Sequence, residues 1–155
     1  MLGSKSNYFH QDKAHLDKCD LDVRTYLWIK GYSIPQVAIY LNAFDYFREN
    51  PNEFDGATLV RDLCDIPGLD IDALYHDYCY INYNVAVNPI MKFRADKLYA
   101  KGNERKGKSQ YAAWSRMVGL TLTGIGFIPL AIFWRGRMTK EQKEKFLQDY
   151  KILLT

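Results

Sequence analysis

The chain has 155 residues, a formal net charge of +3, 48% hydrophobic residues and 25% charged residues. That length and balance predict one folded domain, at most with a small appendage, and exclude a disordered chain or one that needs disulfide staples to keep a core. Cys19, Cys64 and Cys79 are odd in number, widely spaced and form no CxxC pair. This excludes a secreted disulfide framework and a cysteine zinc site, and points to a reducing compartment or a particle assembled in one.

The opening "MLGSKSNYFHQDK" has no apolar run, so secretion by a signal peptide is not expected. His10 and His15 fall in polar sequence and are read as surface residues. In "SIPQVAIYLNAFDYFREN", Ser33 is an N-cap with Gln36 three residues on, Pro35 sits in the first turn, and Val37, Ile39, Tyr40, Leu41, Phe44 and Phe47 are apolar. These features predict a buried amphipathic helix. Asn50 to Gly56 reads as a turn, followed by a short apolar segment, "ATLVRDL". "CDIPGLD" is a tight loop, with φ set by Pro67 and unusual conformations open to Gly68.

Asp70 or Asp72 then starts a helix, because carboxylates favour a helix N-terminus. Asn88-Pro89 is expected to end it. "IMKFRADKLYAKG" predicts a second, short helix stopped by Gly102, and "NERKGKS" a polar link. Thr139 and Gln142 have capping-box spacing, which predicts a last helix from Thr139 to about Leu153.

Charge divides unevenly. Residues 101–155 hold 11 Lys/Arg against 4 Asp/Glu, and residues 1–100 hold 10 against 14. A solvated helix face accounts for the basic half; phosphate, in lipid headgroups or nucleic acid, is the alternative. Nucleic acid is disfavoured, since "NERKGK" is short and lacks interleaved aromatics. Residues 117–134, "MVGLTLTGIGFIPLAIFW", carry no charge. A length of 18 is the threshold for a membrane span, but Gly119, Gly124, Gly126 and Pro129 oppose a straight helix. The readings rank as a buried helix pair bent at "TGIGF", then a surface dipping into a bilayer, then a span.

Asp72, His76 and Tyr80 recur at i, i+4 and i+8, along one helix face, while Asp77 lies about 100° round. An imidazole can take a proton from water if a partner holds its other nitrogen. A neighbouring carboxylate can bind a hard cation if backbone oxygens join it. A core histidine, a capping aspartate and a packed tyrosine are the structural alternatives.

"HDYCY" at 76–80 resembles the HDxCY helix motif of the phospholipase A2 superfamily, and the likeness extends over residues 54–100. Asp70 precedes His76 by six residues, as in the phospholipase domains of small DNA virus capsids. "NP" at 88–89 and "RADKLY" at 94–99 resemble the segments that follow there. "FDGAT" with "HDYCY" and "RAD" is also similar to an uncharacterised phage and bacterial family with a TDGAS…HDxxY…AD pattern.

The resemblance implies an all-α fold: a compact helical domain around an antiparallel helix pair carrying HDxCY and AD, plus an apolar C-terminal helical segment. Its regions would be 1–53, 54–100 and 101–155. It implies His76 as general base, Asp96 as the partner of the other imidazole nitrogen, and Tyr80 supporting Asp96 through its hydroxyl. Ca2+ would be held by Asp77 and the carbonyl of Gly68 and its neighbours. The implied reaction is hydrolysis of a glycerophospholipid acyl ester, by a viral or phage protein acting in a virion, host cytoplasm or at a membrane. Its partners would be a phospholipid surface and other virion proteins. "DIPGLD" departs from the family loop in having one glycine where two are usual. A non-catalytic virion or phage accessory protein, using the helix pair as a scaffold for protein or membrane binding, is the alternative.

Overall fold

The computed structural model describes residues 8–54, 66, 69–107 and 109–155. Among them are seven α-helices and three short 3-10 turns, and no strand, so the all-α expectation holds. The α-helices are α1 (Lys13–Ile29), α2 (Ile34–Glu49), α3 (Ile71–Asn82), α4 (Pro89–Arg105), α5 (Gln110–Ile125), α6 (Ile128–Arg135) and α7 (Lys140–Leu154). The chain divides into two compact units, Met1–Asp77 and Tyr78–Thr155, with the division inside α3.

In the first unit, Asp12 caps α1 by accepting from the His15 amide at 2.9 Å. Leu16, Cys19, Val23 and Leu27 then bury one stripe, at the three- and four-residue spacing that faces a neighbour. Gly31, at φ +78°, lets the chain leave α1: its N–H donates to the Trp28 carbonyl and that of Tyr32 to Leu27. This is a Schellman ending, which favours glycine at that place. Ser33 and Gln36 then form the expected capping box on α2, with Pro35 in its first turn. Phe9, Phe44, Phe47 and Phe54 are buried against one another, with ring centroids 5.2–5.9 Å apart. Arg48 pairs with Asp17 across the helix hairpin.

Ile66 and Leu69 exchange backbone hydrogen bonds; Pro67 and Gly68, on which the tight-loop expectation falls, lie outside the described residues, as do Cys64 and "ATLVRDL". Asp70, 2% exposed, accepts from the amides of Asp72 (3.0 Å) and Ala73 (3.1 Å), and so starts α3. Asp72 instead accepts from the Tyr40 hydroxyl at 3.1 Å. Asp70→Ala is expected to cost about 1–2 kcal/mol, the upper range for a helix cap, because the amides it satisfies are buried. A chemical-denaturation midpoint equal to that of the parent chain would contradict this role.

In the second unit, α4 packs against α5 and α7. Two boundaries differ from expectation. Asn88-Pro89 does not end the preceding helix: α3 stops at Asn82, and Asn84, in the left-handed region at φ +54°, leads into a 3-10 turn over Val85–Val87. The Asn88 side chain accepts from the amides of Ile90 and Met91, with Pro89 as the first helical residue. "NP" therefore opens α4, where a proline's missing N–H costs nothing. Nor does Gly102 stop α4; it is buried, as is Asn103, and the helix runs to Arg105. Packing outweighs the roughly 1 kcal/mol helix penalty of glycine, and Gly107, at φ +85°, makes the turn instead. Thr139 and Gln142 form the expected capping box of α7.

Side chains satisfy the carbonyls left open at the end of α3. Arg135 donates to the Tyr80 carbonyl (3.1 Å) and Gln142 to that of Asn82 (3.1 Å). The Tyr83 hydroxyl donates to Asp149 at 2.6 Å. Burial first, and that hydrogen bond second, push the Tyr83 pKa well above 10.0. A pKa raised in the folded state gives stability that is intact below the unfolded value of about 10 and is lost as pH rises beyond it. The melting temperature is thus expected to fall above about pH 10, and less steeply in Tyr83→Phe. An alkaline decline unchanged in that variant would remove Tyr83 as a cause.

The uncharged stretch bends as expected, α5 and α6 meeting at 63°. It is not the buried pair ranked first. Ala113 and Met117 face Ala100 of α4, but Tyr111, Trp114, Val118, Leu122 and Ile125 form an exposed stripe, and α6 has no buried residue. No single helix among the described residues is long and apolar enough to cross a membrane.

Candidate functional site

α3 runs unbroken from Ile71 to Asn82, so His76 and Tyr80 share a face one turn apart. Its other residues anchor it: Leu74, Tyr75, Tyr78 and Cys79 are buried, Cys79 as the plain core thiol expected of it. The His76 and Asp77 side chains are each 15% exposed, with Nδ1 of the imidazole 3.9 Å from Asp77 Oδ1. That separation is charge proximity rather than a hydrogen bond.

In the second unit, Asp96 is fully buried on α4. The Tyr80 hydroxyl donates to its Oδ1 at 3.1 Å. Its Oδ2 accepts from Lys92 Nζ at 2.6 Å and from the Thr121 hydroxyl at 2.8 Å. Lys92 is 3% exposed. It also donates to the Leu120 carbonyl at 2.8 Å and lies 5.7 Å from the Tyr80 ring centroid. A buried carboxylate is tolerated when a cation and further donors offset its desolvation. Asp96 receives the Tyr80 hydroxyl from α3, the Lys92 ammonium from α4 and the Thr121 hydroxyl from α5. The arrangement fixes the orientation of the carboxylate.

α5 packs closely on α4 here because Gly124 leaves room for the Lys92 side chain. A Cβ at Gly124 would stand 1.9 Å from Lys92 Cε and 2.7 Å from Nζ. The displaced atoms end a flexible side chain, but hydrogen bonds to Asp96 and Leu120 pin that end.

The site residues thus distribute as His76 and Asp77 in the first unit, Tyr80 and Asp96 in the second; Gly68 lies outside the described residues. Lys92 and Thr121 were not singled out from the sequence. Lys92 carried a signal, its i,i+4 spacing to Asp96. Thr121 carried none, being 25 residues from Asp96 in a stretch read only for its lack of charge.

Among the described residues no three His, Cys, Asp or Glu side chains converge as a metal site. Asp77 is a single carboxylate, and calcium takes roughly six to eight oxygens. The carbonyls assigned to complete its shell belong to Gly68 and its neighbours. The described residues by themselves therefore do not compose a calcium site.

Fold and site together define an all-helical protein whose second unit buries a charge-paired, tyrosine-bonded carboxylate. Comparison with family models, curated proteins and solved structures finds no match.

Proposed function

We propose that the protein is a phospholipase A2-like hydrolase of viral or phage type, cleaving acyl esters of glycerophospholipids. The observation that carries this reading is the hydrogen bond from the Tyr80 hydroxyl to buried Asp96. It gives Asp96 a fixed orientation, as a carboxylate needs if it is to hold an imidazole in one tautomer. His76 stands on the same helix face as Tyr80, one turn earlier.

In this reading His76 takes a proton from water. The resulting hydroxide attacks the ester carbonyl, the acyl C–O bond breaks, and the imidazolium returns its proton to the departing alkoxide. The products are a fatty acid and a lysophospholipid. Asp96 stabilises the imidazolium as it forms. Tyr80, Lys92 and Thr121 are positioning residues that act through Asp96.

The test is fatty-acid release from glycerophospholipid vesicles by the full chain, with calcium added and with calcium chelated. Release that His76→Ala abolishes supports the reading, and dependence on calcium and on Asp77 would add the ion to it. No release under either condition overturns it.

The Lys92–Asp96 ion pair favours a second reading. A carboxylate already neutralised by a buried lysine can serve architecture alone. The α3–α4 pair would then be the scaffold of a virion or phage accessory protein, and His76→Gln would leave its binding function intact.

A further inference from the structure

We propose that the outer face of α5–α6 docks on a bilayer surface rich in anionic lipid, lying in the headgroup plane rather than crossing the membrane. The proposal stands whether or not His76 turns over a substrate. Leu122 is 66% exposed, Phe127 65%, Phe133 79% and Trp134 74%. A helix packed only on its own protein turns such residues inward and polar ones outward. α5 departs from this: besides the inward Ala113 and Met117 it carries a second, outward apolar stripe, while Thr121 bonds Asp96.

That inward commitment separates docking from spanning. A lipid-surrounded span is apolar all round, yet one side of α5 is fastened to α4 through Ala113, Met117 and Thr121. The bend agrees. Sixteen residues of α5 reach about 24 Å and eight of α6 about 12 Å, each short of a hydrocarbon core of roughly 30 Å, and the pair, long and apolar enough only when taken together, is bent by 63°. A bent, one-sided apolar pair with aromatic residues and basic flanks matches what lies in a membrane interface.

Charge selects the occupant. Exposed Arg135, Arg137 and Lys140 follow Trp134 directly, and residues 101–155 carry an excess of seven positive charges. Anionic headgroups complement that rim. A second copy of the chain would bring the same positive rim against it.

The experiment uses the full chain and vesicles of ether-linked phosphatidylcholine, with or without ether-linked phosphatidylglycerol. Ether lipids cannot be cleaved as esters, so binding is read apart from hydrolysis. Co-sedimentation with the phosphatidylglycerol vesicles is expected, with a blue-shifted tryptophan emission and weakening as salt is raised. Leu122→Glu and Phe133→Glu, both at exposed positions, should each weaken binding on the order of tenfold or more with circular dichroism unchanged. Arg137→Glu should reduce the preference for phosphatidylglycerol. Equal binding to neutral vesicles, binding unchanged in Leu122→Glu and Phe133→Glu, or a dimer in solution that those variants dissociate would each overturn the proposal.

Discussion

Lys92→Ala is expected to destabilise the protein by about 3–5 kcal/mol, the cost of leaving a buried charge without its partner. Asp96 would keep the Tyr80 and Thr121 hydroxyls but lose its cation in a place with no access to water. The hydrogen bond to the Leu120 carbonyl would go with it, removing a tie between α4 and α5. The double variant Lys92→Met/Asp96→Leu should recover most of the loss, because apolar side chains of similar volume avoid the desolvation that a buried pair suffers. Gly124→Ala tests the same contact from the other side, since its Cβ would displace the lysine ammonium, and about 1–3 kcal/mol is expected, as for other overpacked sites. Denaturant unfolding measures all three. If Lys92→Ala costs less than about 1 kcal/mol, the value of an exposed pair, the Asp96 cluster does not hold the second unit together.

His76→Ala is expected to lower ester hydrolysis by about 10²–10⁴-fold, the range supplied by a positioned general base. Tyr80→Phe should cost less, roughly tenfold, because it removes a hydroxyl donor that orients Asp96 and leaves the base itself in place. The order of these effects discriminates more sharply than either alone. A purely architectural cluster would make Tyr80→Phe a stability variant with no turnover to lose, and would make His76, on the half-buried side of α3, tolerant of glutamine. Melting temperature measured beside turnover separates the two outcomes. Turnover retained in His76→Ala would remove the histidine from the chemistry whatever became of stability.

Much of the helix pattern was legible because its signals are local. Capping boxes at Ser33/Gln36 and Thr139/Gln142 depend only on residues three apart, and both form. The bend at "TGIGF" follows from glycine and proline placement. Local signals misled at two points for one reason. Asn88-Pro89 and Gly102 each have a helix-ending and a helix-compatible use, and packing chooses between them. Proline serves as well at the first residue of α4 as after the last of α3, and a buried glycine keeps its place inside α4 because neighbours pack against it.

At the site, the sequence by itself determined that His76 and Tyr80 share a helix face, because 3.6 residues per turn permits nothing else. It also marked Asp96 as a residue of interest and residues 117–134 as a stretch without charge. Only the tertiary structure decided that Asp96 is neutralised by Lys92 and bonded by Thr121, and that the apolar stripe of α5 faces outward. Which face of a helix is covered depends on what packs there. For α5 that is α4, drawn in by a buried carboxylate that needed its hydroxyl, a long-range requirement that no local window of sequence contains.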